Sequence, residues 1–286
     1  MTTYATGLTW GEGPRWSGDA LWLSDTQGGT LCHGVPGDWT VHQLTSQSNG
    51  LGFLPDGRLA GSVMRENRVG IWDGQEFAAY ADLSRIATGP LGDMIGDVSG
   101  GLYVDDVGFA AHLGEDPKPG RVIYVDAHGD SQVAADNIEF PNGLALIDGG
   151  KTLVIAETWA QRLTAFSVGA DGSLSEQRLY ADLSQVVGPE ARPDGICHAP
   201  QGGVWVATLT GHAVARVDGD SLLDVVSTGD GFPVACCTDG DTRLWVTIAD
   251  GGGLPVMEAV ANKSVTTSVE LFDTSDLPAA GRSAND

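Results

Sequence analysis

The amino-acid sequence predicts an all-β protein, a six-bladed β-propeller built from four-stranded antiparallel blades. The main observation is a phrase that recurs six times: a polar residue beside glycine, a short strand, a Gly/Asp/Pro turn and a second, apolar strand. The apolar strands begin at six marker positions, Leu21, Leu59, Leu102, Leu153, Val204 and Leu244. Their intervals of 38, 43, 51, 51 and 40 residues are typical of propeller blades. In addition, apolar residues nowhere keep helical spacing over three turns.

The two ends of the chain are predicted to meet in one blade. Residues 3–10 alternate in polarity, and so do residues 265–272. A ring of blades exposes two strand edges unless its termini pair, so we expect the N-terminal strand to complete the C-terminal blade. The 286 residues contain no linker-like run. The sequence therefore predicts a single domain over residues 1–286 that ends in a frayed tail at 274–286.

Charge and cysteine content limit the partners and the compartment. The formal net charge is -23, which repels nucleic acid and anionic membranes, so neither is expected as a partner; the oligomeric state is left open. The start of the chain has no secretory signal pattern, and no apolar stretch is long enough to cross a bilayer. The four cysteines, which show no C-x-x-C spacing and include an adjacent pair, are Cys32, Cys197, Cys236 and Cys237. Buried thiols in a reducing compartment are the expectation, and the cytoplasm is the predicted location.

Three oxygen-bearing side chains occupy the same place in their repeats. Glu12, Asn142 and Asp194 each precede a glycine. Asn-Gly and Asp-Gly also favour turns when they stand alone. However, the innermost strand of each propeller blade lines the central channel, so residues in equivalent phase converge on the axis. Oxygen donors that converge without a compensating Lys or Arg predict one hard divalent cation, Ca²⁺ first, with Zn²⁺, Mg²⁺ or Mn²⁺ as substitutes.

A family resemblance follows from three motifs on these repeats. They are Glu12-Gly-Pro-x-Trp16, Pro141-Asn142-Gly143-Leu144 and Pro193-Asp194-Gly195-Ile196. In this order on six units they resemble the SMP-30/gluconolactonase/LRE-like family, over nearly the whole chain. The resemblance implies a six-bladed propeller with one divalent cation in its tunnel, held by Glu12, Asn142 and Asp194. It also implies hydrolysis of a small-molecule lactone, while related propellers hydrolyse organophosphates.

One position departs from the family pattern. The third unit of the family usually carries Asn-Asp, whose asparagine reaches the metal site or the substrate, whereas this chain has Gly92-Asp93. Either water fills the gap or Asp93 shifts inward. Asn49, in equivalent phase on the second unit, could also reach the axis. The fourth ligand is therefore open.

The predicted chemistry is metal-assisted opening of a lactone ring. A divalent cation polarises the carbonyl group, and Asp194 is the predicted general base. The candidate substrate-binding residues are Asn49, Asp93, Asp106, Phe109 and His112, the last three on a loop at 105–117 that is long enough to cover a channel mouth. Two alternatives remain: the same site acting on another substrate, by organophosphate hydrolysis, isomerisation or cyclisation, or a non-catalytic Ca²⁺-binding propeller. No Gly-x-Ser-x-Gly elbow supports a serine hydrolase.

Overall fold

Six four-stranded antiparallel sheets form a ring, as the sequence predicts. The structure is a computed structural model, and it describes residues 1–110, 113–275 and 277. Within these residues, each of five sheets consists of four strands that are consecutive in the chain, and the sixth combines both termini. The molecule is therefore a six-bladed β-propeller with one blade closed by the ends of the chain.

Each blade runs from an innermost strand at the axis to an outermost strand at the rim. The chain begins with β1 (Thr2–Leu8), which belongs to the last blade. Blade 1 contains β2 (Gly11–Trp16), β3 (Leu21–Asp25), β4 (Thr30–Val35) and β5 (Asp38–Gln43). Blade 2 contains β6 (Ser48–Phe53), β7 (Leu59–Val63), β8 (Arg68–Trp72) and β9 (Phe77–Asp82). Blade 3 contains β10 (Leu91–Gly96), β11 (Leu102–Asp106), β12 (Gly120–Val125) and β13 (Ser131–Ile138).

The second half of the ring repeats this arrangement. Blade 4 contains β14 (Pro141–Ile147), β15 (Thr152–Glu157), β16 (Arg162–Val168) and β17 (Leu174–Asp182). Blade 5 contains β18 (Pro193–His198), β19 (Val204–Thr208), β20 (Ala213–Asp218) and β21 (Ser221–Ser227). Blade 6 contains β22 (Phe232–Thr238), β23 (Arg243–Asp250) and β24 (Thr266–Asp273), with β1 as its fourth strand.

Helices are short and lie in connections. A 3₁₀ turn spans Asp148–Gly150, α1 spans Leu183–Val186 and α2 spans Val256–Ala261. The Asp182 side chain caps α1 by accepting a hydrogen bond from the Ser184 N–H. In the described part of the chain, no helix is both long and apolar enough to span a membrane.

The closure of the ring confirms the predicted pairing of the termini. β1 runs antiparallel to β24, with Thr2 opposite Leu271 and Leu8 opposite Thr267. Each terminal edge is thereby covered by the other strand, which removes an exposed edge from the ring. Most of the predicted tail at 274–286 falls outside the described residues.

The core consists of apolar clusters between neighbouring blades. Each of six clusters joins the facing sides of two adjacent blades. The marker strands of the repeat are the second strands of the blades, and β7, β11, β15 and β19 are buried along their whole length. Trp22, Trp205 and Trp245 pack in these clusters, which confirms the role in inter-blade packing that their recurrence predicts.

Candidate metal centre

The innermost strand of every blade is irregular at the recurring polar residue. The pairing register with the second strand shifts once in each blade, at 12–15, 48–51, 91–94, 141–144, 193–196 and 233–235. A β-bulge of this kind leaves a residue unpaired and re-aims side chains, often beside active sites. The residues at the equivalent point, called the axial positions below, are Glu12, Asn49, Gly92, Asn142, Asp194 and Val234. The Asn-Gly and Asp-Gly dipeptides therefore lie in bulged strands and not in turns.

Glycine follows most axial positions because neighbouring innermost strands touch there. A Cβ atom on Gly143 would lie 2.3 Å from the backbone N of Ile196 in the next blade. A Cβ atom on Gly195 would lie 2.6 Å from Cα of Ala235. Neither glycine has a positive φ, so the requirement is close approach and not backbone conformation. This contact draws the axial residues of successive blades together.

Glu12 and Asp194 form a buried pair of carboxyl groups from blades 1 and 5. Their side chains belong to residues that are only 8% and 4% exposed. Burial raises the pKa of Glu12 well above its usual range, and the negative charge of Asp194 raises it further. Burial also raises the pKa of Asp194 to about 7, against the opposing effect of a hydrogen bond from Asn142. The three predicted metal ligands therefore converge at one place in the ring.

Neighbouring side chains hold two of these predicted ligands in position. Trp10 Nε1 donates a hydrogen bond of 2.7 Å to Oε1 of Glu12, and Nδ2 of Asn142 donates to Oγ1 of Thr158 at 3.3 Å. Because the amide nitrogen of Asn142 donates to Thr158, its carbonyl oxygen remains the atom suited to a cation. The sequence did not point to Trp10 or Thr158.

Arg15 lies in the same acidic group, which corrects the expectation that no Lys or Arg compensates it. Its Nη2 donates to Oδ1 of Asp93 at 3.0 Å and to the Met94 carbonyl at 2.5 Å. Residues 12 and 15 would face opposite sides of a regular strand, but the bulge between them changes the phase. Arg15 therefore crosses from blade 1 to blade 3 and neutralises Asp93. Glu12 and Asp194 form no ion pair with any residue that the structure describes.

Blade 3 supplies a fourth buried carboxyl group, that of Asp105. This residue follows Val104 on β11 and is 1% exposed. Its Oδ2 accepts a hydrogen bond of 2.7 Å from the Asp93 N–H. Burial raises the pKa of Asp105 well above its usual range, and the charge of Asp93 raises it further; the Asp105 charge in turn contributes to the raised pKa of Glu12. Sequence reasoning missed Asp105, although the adjacent Asp106 was a candidate.

The candidate substrate-binding residues lie in different environments. Asn49 occupies the axial position of blade 2 and is half-buried, and Asp93 lies beside the axial group. Asp106 is fully buried; its carboxylate accepts hydrogen bonds from the N–H groups of Thr88, Gly89 and Gly108. These contacts join the loop before β10 to the turn after β11, and a substrate contact by Asp106 stays a prediction. His112 lies outside the described residues.

Three aromatic rings follow the ends of β11, β13 and β15. Phe109 is 1% exposed and packs edge-on against Phe140 at 5.8 Å between ring centroids. Phe140 stacks on Trp159 at 4.8 Å, and Trp159 is 43% exposed. Phe140 immediately precedes Pro141-Asn142, and Trp159 follows Thr158, the partner of Asn142. Trp159 is therefore the most exposed ring of this group, and it directly follows the partner of Asn142 in the chain.

The donor set fits a hard divalent cation. The carboxyl groups of Glu12 and Asp194, which form no ion pair with a described residue, lie with the amide of Asn142. Oxygen ligands of this kind select Ca²⁺ or Mg²⁺. Oδ1 of Asp105 is buried and has no hydrogen-bond partner among the described residues. Within that part of the chain, no group of three or more His, Cys, Asp or Glu side chains is arranged so that it could hold a metal ion by itself. The amide of Asn142 is therefore an essential part of the candidate centre.

The fold and this centre define a class of protein: a six-bladed propeller with an oxygen-rich site on its axis. Comparison with family models gives a match to "SMP-30/Gluconolactonase/LRE-like region" over residues 10–250. Because the match covers most of the 286 residues, the chain belongs to the SMP-30/gluconolactonase/LRE-like family. The family membership that the three motifs predict is confirmed.

Solved structures show the same fold at low sequence identity. A luciferin-regenerating enzyme is 23% identical with a TM-score of 0.76, covering 94% of this chain and 93% of its own. Regucalcin from Agrobacterium tumefaciens, described as a calcium-binding protein, is 20% identical with a TM-score of 0.76, covering 99% and 98%. A gluconolactonase from Xanthomonas campestris is 23% identical with a TM-score of 0.72, covering 94% and 88%. At these identities the likeness concerns the fold.

Proposed function

We propose that the protein is a metal-dependent lactonase, a hydrolase that opens a cyclic ester. The observation that carries the proposal is the convergence of Glu12, Asn142 and Asp194 from blades 1, 4 and 5 into one group, in which both carboxyl groups are buried. Family membership and a fold shared with a gluconolactonase support the reaction class. Ca²⁺ is the proposed cation, and the calcium-binding description of the related regucalcin agrees with it.

Each residue of the centre has a distinct task. When bound, a divalent cation polarises a carbonyl group and stabilises negative charge on its oxygen. Glu12, fixed by Trp10, and Asn142, fixed by Thr158, would hold the cation together with Asp194. Burial of the Glu12 and Asp194 carboxyl groups excludes bulk water from them, which strengthens their electrostatic action.

Asp194 moves the proton. A carboxylate Oδ atom of Asp194 takes a proton from a water molecule while the water oxygen bonds to the carbonyl carbon of the lactone. Asp194 then returns this proton to the ring oxygen as the C–O bond of the ring breaks, and the product is a hydroxy acid. The hydrogen bond from Asn142 keeps the Asp194 carboxylate in place through both transfers.

The proposed substrate is a small lactone without strongly anionic groups of its own. The acidic axial group repels anions, while the exposed ring of Trp159 offers an apolar surface beside it. We also propose the cytoplasm as the location, since Cys32, Cys197, Cys236 and Cys237 are all free thiols.

The test is a panel of γ- and δ-lactones and phosphotriesters, assayed with Ca²⁺, Zn²⁺, Mg²⁺ and Mn²⁺ after treatment with EDTA. We expect lactone hydrolysis that disappears with EDTA and returns with a divalent metal. Asp194→Asn and Glu12→Gln should each abolish turnover, while Asp220→Asn, at an exposed turn of blade 5, should retain it. Phosphotriester hydrolysis in place of lactone hydrolysis would assign the site to the other substrate class. Metal binding without any turnover would leave a non-catalytic calcium-binding propeller.

A further inference from the structure

The axial position of blade 3 has no side chain, yet the space in front of it is filled. A Cβ atom on Gly92 would lie 2.3 Å from Oδ1 and 2.7 Å from Oδ2 of Asp105. Asp105 belongs to β11, the neighbouring strand of the same blade. The Asp105 carboxylate therefore occupies the volume through which an axial side chain would pass. Neither water nor an inward shift of Asp93 is needed to fill this gap.

The same place on the second strand is occupied by a small neutral residue in the other five blades. Those residues are Ser24, Ser62, Ala156, Ala207 and Thr247. Ser62 Oγ accepts a 2.9 Å hydrogen bond from the Gly50 N–H, and Thr247 Oγ1 accepts one of 3.0 Å from the Ala235 N–H. Oδ2 of Asp105 accepts the equivalent bond from the Asp93 N–H. A serine or threonine hydroxyl group at this position therefore accepts the same backbone hydrogen bond that Oδ2 of Asp105 accepts in blade 3.

The second oxygen of Asp105 has no such explanation. Oδ1 is buried and unpartnered among the described residues, and no ion pair compensates its charge there. Burying a carboxylate oxygen without a full set of partners is costly, because the group loses its hydration. The backbone N–H groups of Asp93 and Gly92 offset only part of this cost, since the pKa of Asp105 stays well above its usual range. Its charge acts on Glu12, a predicted ligand from blade 1. Independently of this charge, Oδ1 lies at the axial position of blade 3, 2.3 Å from where a Cβ atom of Gly92 would be.

We propose that Oδ1 of Asp105 is a ligand of the axial divalent cation and takes the place of the side chain that Gly92 lacks. This inference deepens the proposed function and rests on it. The centre then contains three carboxylates, from Glu12, Asp194 and Asp105, and one neutral amide from Asn142. An additional negative ligand raises the affinity of an oxygen site for Ca²⁺, and it favours a trivalent ion such as Tb³⁺ over a divalent one.

The decisive variant is Asp105→Ser, because blade 2 shows that serine makes the required hydrogen bond to the backbone. Affinity for Ca²⁺ and Tb³⁺ is measured by calorimetric titration of the EDTA-treated protein. We expect Asp105→Ser to weaken Ca²⁺ binding by at least about tenfold and Tb³⁺ binding by more. Asp220→Ser removes the same charge from an exposed turn and should keep wild-type affinity.

A double variant separates ligand loss from damage to the fold. Gly92→Asn combined with Asp105→Ser creates the pairing of an axial asparagine with a second-strand serine that Asn49 and Ser62 form in blade 2. We expect it to recover most of the Ca²⁺ affinity but not the preference for Tb³⁺. Gly92→Asn alone should lower the affinity, since its Cβ atom meets the Asp105 carboxylate.

The outcomes distinguish this inference from the proposed function. Wild-type Ca²⁺ affinity in Asp105→Ser would overturn the inference and leave the lactonase proposal intact. Weakened binding in Asp105→Ser that the double variant restores would support the inference, whether or not lactones are hydrolysed. If the wild-type protein binds none of the four divalent metals, both proposals fail.

Discussion

Replacing the proposed general base should stabilise the metal-free protein. Asp194 has a pKa of about 7 in the fold, against 3.8 in water. Since the folded state binds this proton more tightly than the unfolded chain, the carboxyl group favours folding below pH 3.8. This contribution is lost as the pH rises through 7. Asp194→Asn keeps the size and an oxygen acceptor but cannot ionise.

The magnitude follows from the two ionisation constants. A tenfold change in the ionisation constant corresponds to 1.36 kcal/mol. Keeping Asp194 ionised in the folded protein therefore costs about 4 kcal/mol above pH 7. In EDTA, we expect the Asp194→Asn variant to exceed the wild type in stability by a margin that grows with pH. The margin reaches about 4 kcal/mol at pH 8. Most of the growth should fall between pH 4 and pH 7.

The assay is urea unfolding in EDTA at pH 5 and pH 8, followed by the same series with excess Ca²⁺. Ca²⁺ should stabilise the wild type, because it binds only the folded state, and should do little for Asp194→Asn. Asp220→Asn, at an exposed turn, serves as the control and should follow the wild-type pH dependence. A margin independent of pH, or a wild type that is more stable than the variant in EDTA at pH 8, would refute the reasoning.

Three further variants test neighbouring parts of the site. Trp10→Phe removes the donor to Glu12 and should weaken Ca²⁺ binding several-fold by calorimetry; unchanged affinity would contradict its positioning role. Arg15→Met leaves Asp93 buried without its partner and should cost about 3–5 kcal/mol in urea unfolding, most of which Asp93→Asn should recover in the same background. Trp159→Ala should raise KM for lactones with long alkyl substituents and leave Ca²⁺ affinity unchanged. If the variant and the wild type have the same KM for long-chain lactones, Trp159 makes no apolar contact with the substrate.

Repetition made the fold predictable. Six equivalent apolar strands predicted the number of blades. A polar residue recurs at the same place before these strands, and this placed Glu12, Asn142 and Asp194 on innermost strands. Alternation at both ends predicted the pairing of β1 with β24. These features depend on local patterns that repeat, so a single sequence contains enough copies to recognise them.

The parts that were missed depend on local irregularity and on contacts between blades. The bulge that turns Arg15 towards Asp93 adds one residue to a strand, which the alternation of side chains does not reveal. In the sequence, Asp105 follows the apolar run at residues 102–104 and precedes a second aspartate, so it resembles the start of an acidic loop. Only the absence of a side chain at Gly92 gives its carboxylate a place at the axis.

Blade 3 reverses the order of small and polar residues found in the other polar blades. Blade 2 reads Asn49-Gly50, whereas blade 3 reads Gly92-Asp93. Gly92, in place of an axial asparagine, leaves the axial position empty and admits the carboxylate of Asp105. Asp93, in place of the following glycine, puts a carboxylate where neighbouring strands otherwise touch, and Arg15 of blade 1 neutralises it. Gly92, Asp93, Asp105 and Arg15 therefore form one interdependent set, and substitutions among them should couple strongly in double-mutant cycles.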